Sequence, residues 1–324
     1  MIALRAFRDG IWIVVRAPGL LFLVTCLTLG AMLPFALALG DRLRDALGNQ
    51  PPIDLGAEEI DADWWLEFRA HARGLEATFT PAVIGFAAPL DNLSTLADGS
   101  PRPLVMLAPV GLYGLIWAFL WGGLLERFGQ GHRIGVRPFM QAGTRHLVRL
   151  TTIAMAAAVM AGLLYLTVHA WLLGPVFQWG AVRAGDERNV FLWRVALYLV
   201  FGALLASVSL LADYARVATV LAGARTIGDA LRTSLAFVRG HRWSVVSLFL
   251  LNVALFVLLL VMYGVADRRF AGWRGVALGQ AYIVARLGIR LTSIASEARL
   301  FQTASSHAQA VSVGRENPGP PAAT

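Results

Sequence analysis

The sequence predicts an all-α protein: a polytopic helical membrane bundle of six spans, built as three repeats of an interfacial amphipathic helix followed by a transmembrane hairpin. Three observations predict it. Hydrophobic residues make up 57% of the 324 positions against 15% charged, and the mean hydropathy is +0.62, too apolar for a soluble domain of this length. Uncharged windows that reach or approach the roughly 20 residues needed to cross a bilayer recur along the chain. Acids and arginines divide unevenly among the connecting loops, as orientation in a membrane requires.

The first span covers about 19–40. Arg5, Arg8 and Arg16 precede it, so the N-terminus is expected on the cytoplasmic side. A secretory signal is the competing reading, since the apolar run ends "ALALG" with Ala36 and Ala38 in an A-x-A arrangement. The run is longer than an ordinary signal core and is interrupted by Pro34, which favours an uncleaved span. Segment 41–102 then carries five arginines and eleven acids, 5 − 11 = −6, and is expected to face outward. Within it, "DADWWLEFRAHARG" predicts an amphipathic helix at about 62–73. Asp61 or Asp63 caps it, Trp64, Trp65, Phe68 and Ala72 lie along one side, and Gly74 stops it. Trp64 and Trp65 are expected at headgroup level. The following "TPAVIGFAAPLDNL" is too short to span and reads as a re-entrant or surface-lying piece.

The second span covers about 103–125 and the third about 150–173, where Gly174-Pro175 is expected to end the helix and leave "VFQWGAV" as an interfacial turn. Ala154, Ala158 and Gly162 recur every four residues on the third span and mark a packing face, within the chain or between protomers. The fourth, fifth and sixth spans cover about 193–212, 243–266 and 276–301. Loops with Arg127, Arg133, Arg137, Arg145 and Arg149 against Glu126, and with Arg216, Arg225, Arg232, Arg239 and Arg242 against Asp213 and Asp229, read as cytoplasmic. Six spans return the C-terminus to the same side, and 304–324, polar and proline-rich, is expected to be disordered. All 28 basic residues are arginine, the mark of a GC-rich genome; a bacterial inner membrane follows as the expected location.

The repeat rests on short matches. Ahead of the odd-numbered spans stand "GIWIVVRAPG", "GTRHLVRLTT" and "TSLAFVRGHRW", each with a Val-Arg step, at Arg16, Arg149 and Arg239. After the even-numbered spans come "LERF", "DYAR" and "SEAR", at Glu126, Asp213 and Glu297. Arginine at such an elbow reaches anionic headgroups on the cytoplasmic face while the apolar face of the preceding helix lies in the headgroup boundary.

The sixth span is the anomaly. Placed from Gly275, Arg286 lies about 16 Å deep, near the middle of a hydrocarbon core about 30 Å thick. Each central arginine costs about 2.5–3.5 kcal/mol on insertion scales, more than several apolar neighbours return. The helix is therefore expected to be held by packing, with Arg286, Arg290, Ser293 and Glu297 forming one inward stripe. Asp213 is the first candidate partner for Arg290 and Glu126 the next; Asn252, Gln280 and Tyr282 offer further polar contacts. Two readings stand: an ion-pair network that docks the third hairpin, favoured by nearly matched charges, and a polar cavity for an anionic solute or lipid.

No motif names a reaction. The six histidines are scattered with no metal-ligand spacing, Cys26 has no disulfide partner, and no nucleophile elbow occurs, so neither cofactor, metal nor catalytic residue is predicted. "GQGHRIG" at Gly129 lacks the strand and the ending of a phosphate loop and reads as a turn. Aromatic and basic residues are not interleaved as nucleic-acid binding needs. The expected partners are membrane lipids with anionic headgroups, a second copy of the chain or another membrane protein.

At "LADYARVATV" and "GDALRTSLAFVRGHRWSVVSLFLLNV", with Asp213, Tyr214, Arg216, Phe237 and Arg239, the chain resembles a diffuse group of bacterial six-span integral membrane proteins. They are similar in plan to the membrane domain attached to some glycerophosphoryl diester phosphodiesterases. The resemblance implies the repeat plan over most of the chain. The catalytic barrel of those enzymes has no counterpart in this sequence, so the resemblance carries over no activity. The role expected from these observations is a non-enzymatic membrane scaffold that engages lipids or partners, with an anion-handling transporter or channel as the alternative.

Overall fold

The computed structural model describes residues 2–47, 62–80, 85–100, 103–130, 135–270 and 272–316. Among them the chain runs through α1 (Ile2–Val15), α2 (Pro18–Leu47), α3 (Ala62–His71), α4 (Ala87–Asp98), α5 (Leu107–Gln130), α6 (Val136–Leu164), α7 (Phe177–Ala184), α8 (Glu187–Leu221), α9 (Ile227–Gly240), α10 (Arg242–Asp267) and α11 (Gly272–Glu316), with no strand. Five helical stretches are long and apolar enough to cross a membrane: Pro18–Asp45, Leu104–Gln130, Val136–Ala184, Glu187–Leu221 and Arg242–Asp267, with mean hydropathy from 1.9 to 2.9.

The charged α11 is not among the five, yet it lies at the centre of the bundle, against α1, α2, α5, α8 and α10. Leu291, Ile294, Ala295, Ala298, Leu300 and Phe301 are buried along it. A helix surrounded by other helices need not be apolar enough to face lipid, which accounts for its composition.

Helix α1 departs from its expected place. Ala3, Ala6, Gly10 and Val14 are buried against the bundle, chiefly against α11, while Leu4, Trp12 and Val15 are exposed on the other side. Small residues spaced three or four apart let two backbones approach. At Gly10 a Cβ would stand 2.9 Å from the Ser296 Cβ and 3.0 Å from the Thr292 carbonyl oxygen, so only glycine fits. The apolar face expected in the headgroup boundary is thus split: its small residues dock and its large ones remain outside.

The elbows also differ. The helix breaks between α1 and α2 at Arg16-Ala17, just ahead of Pro18, and between α9 and α10 at His241. The middle stretch, "GTRHLVRLTT", has neither proline nor glycine at its Val-Arg step, and α6 passes through it unbroken. The third span likewise does not stop at Gly174-Pro175. Two π-turns, Tyr165–His169 and Leu172–Val176, carry the helix through the proline and into α7. A π-turn shifts the hydrogen-bond ladder by one residue and so accommodates the missing proline N–H. Ala158 and Gly162 on α6 are exposed, and the close contact with α5 is made instead by Gly122 and Gly123 against Phe139, Ala142 and Gly143.

Segment 62–73 forms α3 nearly as expected. Its Trp65 ring packs on Phe68 and Phe79, with centroids 5.9 and 6.0 Å away. Helix α4 is tied across the far end of the bundle. The Tyr165 hydroxyl donates to the Leu96 carbonyl at 2.6 Å, His169 Nε2 lies 2.8 Å from the Ala97 carbonyl, and the Tyr198 hydroxyl donates to Asp98 Oδ1 at 2.5 Å. At its other end the Phe86 amide donates to Asp267 Oδ2 at 3.1 Å. The first π-turn is what presents Tyr165 and His169 together to the last turn of α4, which closes at Gly99 with φ +64°.

Candidate functional site

On α11 the polar residues 286, 290, 293 and 297 share a face by helical spacing, and burial increases along it. Arg286 and Arg290 are exposed, Ser293 is half-buried and Glu297 is 6% exposed. The stripe lies along the junction, or crevice, where α11 packs against α5 and α8. Helix α5 contributes Tyr113, Trp117 and Trp121, one residue per turn on the same side.

Two arginines from different helices stack on this aromatic wall. The Arg290 guanidinium carbon lies 4.1 Å from the Trp117 ring centroid, and that of Arg216, from α8, lies 5.1 Å from Trp121. Tyr113 packs beside Trp117 with centroids 6.1 Å apart. Trp117 sits near the middle of α5, and Arg290 is the stripe arginine that reaches it. The helix begins at Gly272, ahead of the expected Gly275, and Arg286 lies about 6 Å nearer its start than Arg290.

The charges pair differently from the expected scheme. Asp213 is held by Arg216 on its own helix in a direct ion pair, with side chains only 21% and 15% exposed. One helical turn separates the two, so Asp213 has a partner within its own helix. Glu126 lies nine residues beyond Trp117, about 13 Å along α5, and accepts instead from Gln130 Nε2 at 2.8 Å. Among the described residues, Arg286 and Arg290 form no ion pair and donate no hydrogen bond. Asp213 stands close enough to act on Arg290 through space without neutralising it.

Three buried polar atoms on the crevice helices have no partner. The Trp117 Nε1–H has no acceptor, the Tyr282 hydroxyl has none, and Glu297 Oε2 has no donor, although Glu297 Oε1 accepts from the Ser293 hydroxyl at 3.0 Å. A buried polar group left unsatisfied costs about 1–3 kcal/mol. The Arg290 guanidinium, in no direct ion pair although Asp213 and Glu297 act on it through space, stacks on Trp117, whose indole N–H is orphaned; such donors are the chemistry that receives an anionic oxygen.

The remaining expected residues are dispersed. Arg16 is exposed, its guanidinium 5.1 Å from the Trp12 ring. Arg149 donates to the Ala224 carbonyl at 3.3 Å, tying α6 to the turn after α8, and Arg239 is exposed on α9. The Trp64 side chain lies outside the described residues. Asn252 is buried and donates to Leu248 O, and Tyr282, one helical turn before Arg286, stacks on Tyr263 at 4.4 Å. The residues that sequence reasoning missed are Tyr113, Trp117 and Trp121. Their fourfold spacing was visible, but aromatic residues at that spacing in a span are ordinarily lipid- or core-facing. No family model, curated protein or solved structure matches the chain.

Proposed function

We propose that the chain is a six-span protein of a bacterial inner membrane, with both termini cytoplasmic, that holds an anionic solute or lipid headgroup in the Arg290 crevice. The observation that carries this reading is the Arg290 guanidinium, stacked on a buried Trp117 and held in no direct ion pair while Asp213 is engaged by Arg216. The central place of α11 supports its being the sixth span, because its arginines face protein and crevice and its buried leucines face neighbouring helices. The three-unit plan, and its likeness to the phosphodiesterase-linked membrane domain, belong to the same proposal.

An ion-pair network, the competing reading, predicts that Arg290→Gln destabilises the empty protein. An anion site predicts the opposite sign: relieving an uncompensated charge leaves the empty protein as stable or more so and removes the anion response. The test is thermal unfolding of the purified full chain in micelles, with and without inorganic phosphate, acetate or added phosphatidylglycerol. Wild type is expected to gain several degrees with one of these probes and Arg290→Gln to gain none. A lowered Tm in the unliganded variant would overturn the proposal. A reporter fused at Thr324 is expected in the cytoplasm.

A further inference from the structure

Helix α9 lies at one end of the bundle, between Leu221, where one apolar stretch stops, and Arg242, where the next starts. Both of its ends are fixed. At the first, the Asp229 amide donates to the Thr226 hydroxyl at 3.1 Å and the Thr226 amide donates back to the Asp229 carboxylate at 3.3 Å, a reciprocal cap. At the second, the chain leaves the helical conformation at His241, with φ −123° and ψ 28°. The roll of α9 about its own axis is set from inside. The Ser234 hydroxyl donates to the Leu211 carbonyl at 2.8 Å, and the Phe237 ring packs on Tyr214 and Phe301, with centroids 5.0 and 4.9 Å away.

With the core face so placed, the two flanks of α9 differ. Successive residues stand about 100° apart round the axis, so Leu231 and Leu235 follow Ser234 on one flank, and both are exposed. Thr233, Asp229 and Ala236 follow Phe237 on the other flank. Arg232 and Arg239 are exposed opposite the core, on the border next to Leu235. Neither arginine forms an ion pair or a hydrogen bond among the described residues. Asp229 acts on Arg232 only through space, and its carboxylate is held by Thr226 in the cap.

We infer that α9 is a docking surface for anionic phospholipid: it lies along the membrane boundary, with Leu231 and Leu235 in the acyl layer and Arg232 and Arg239 reaching the phosphates above it. An apolar flank bordered by arginines is the arrangement that lets the side-chain stems run along the acyl boundary while the charged heads stay with the headgroups. The polar flank is then left to water. Continuity with α10 supports the same level: Trp243, in the first turn of that apolar stretch, is exposed with the Arg242 guanidinium carbon 5.7 Å from its ring, and tryptophan favours the boundary. The inference rests on the apolar stretches crossing a membrane and is independent of the Arg290 crevice.

Spin labelling of the full chain in nanodiscs tests this, with Cys26 replaced by serine. A nitroxide is placed at Leu235→Cys or at Ala236→Cys, neighbours in sequence on opposite sides of the arginine border, and its collisions with oxygen and with a water-soluble nickel chelate are compared. In phosphatidylcholine containing phosphatidylglycerol, position 235 is expected to favour oxygen and position 236 the chelate. Removing the phosphatidylglycerol is expected to shift position 235 toward the chelate, because each arginine near an anionic surface is drawn to it. Arg232→Gln/Arg239→Gln is expected to lose that dependence on lipid charge, and Arg232→Lys/Arg239→Lys to keep most of it, which separates lost charge from lost folding. Three results would overturn the proposal: position 235 as open to the chelate as 236, position 235 closed to both reagents because protein covers it, or a dependence on lipid charge that persists in the glutamine pair.

Discussion

The two ends of the bundle are held together by different physics. At the elbow end, α1, α2, α5, α6, α8, α9, α10 and α11 share one core in which Leu120, Leu124, Leu125, Leu150, Leu291 and Leu300 are wholly buried and the α1–α11 contact is close enough to require Gly10. At the α4 end the hairpin of α6 to α8 has a small core of Leu172, Leu197 and Phe201, and is fastened by directional bonds from Tyr165, His169 and Tyr198 to α4. Packing is intolerant of added atoms, whereas a hydrogen-bonded cap opens when one donor goes. The stripe on α11 runs from Glu297, buried in the packed half, to Arg286, which is exposed.

Breaking the ion pair in the packed half is expected to have the largest effect. Asp213→Asn leaves Arg216 facing Trp121 without its carboxylate, at a cost of about 3 kcal/mol, the low end for a broken buried pair because both side chains keep some exposure. Unfolding in denaturing mixed micelles measures it. Adding Arg216→Gln should restore most of the loss, and adding Arg290→Gln much less. Equal restoration by both would make Arg290 a structural partner of Asp213 and dissolve the distinction between the buried and the exposed end of the stripe.

Glycine substitution sharpens the same contrast. Gly10→Ala is expected to cost about 1–3 kcal/mol, because the obstructing atoms at Ser296 and Thr292 are close backbone and Cβ atoms that cannot swing aside. Gly162→Ala, where a Cβ would meet nothing within 4 Å, is expected to be neutral or to stabilise by up to about 1 kcal/mol through helix propensity. The same micelle assay reads both. A Gly10→Ala protein as stable as wild type would show that α1 can withdraw from α11 at no cost.

The spans were legible because hydropathy is a property of each segment alone: α2, α5, α8 and α10 cover the expected windows, and the 286–297 stripe follows from helical spacing. What eluded the sequence was decided between segments. Trp117 and Trp121 become arginine platforms only because α8 and α11 bring Arg216 and Arg290 across α5. Pro175 failed to end its helix because a π-turn absorbed it, while a second π-turn, at Tyr165–His169, is secured to α4. Asp213 was expected to reach across helices, but its neighbour one turn away held it first. The five apolar stretches do not disclose α11, whose charged stripe is accommodated by the helices packed around it.

The smallest expected effect lies in the α4 cap. The Tyr198 hydroxyl bonds to Asp98 Oδ1 at 2.5 Å and holds that carboxyl below its ordinary range, with Ser94, Arg194 and His169 acting in the same direction. A carboxyl whose value is lowered on folding contributes stability above its unfolded value, near 3.9, and loses it as pH falls through the lowered folded value. Tyr198→Phe should therefore loosen α4 at neutral pH, and the difference from wild type should close only as pH falls through the lowered wild-type value of Asp98, beneath the unfolded value near 3.9, where the carboxylate takes up its proton in both proteins. A nitroxide on Leu93→Cys, exposed on α4, with Cys26 replaced by serine, reports the mobility at every pH. If the two proteins still differ as much once acid has protonated Asp98 as they do at pH 7, the latch is not the carboxylate. The cap would then depend on Tyr165 and His169, whose acceptors are backbone carbonyls that do not titrate, and the contrast between the two ends would rest on bond number alone.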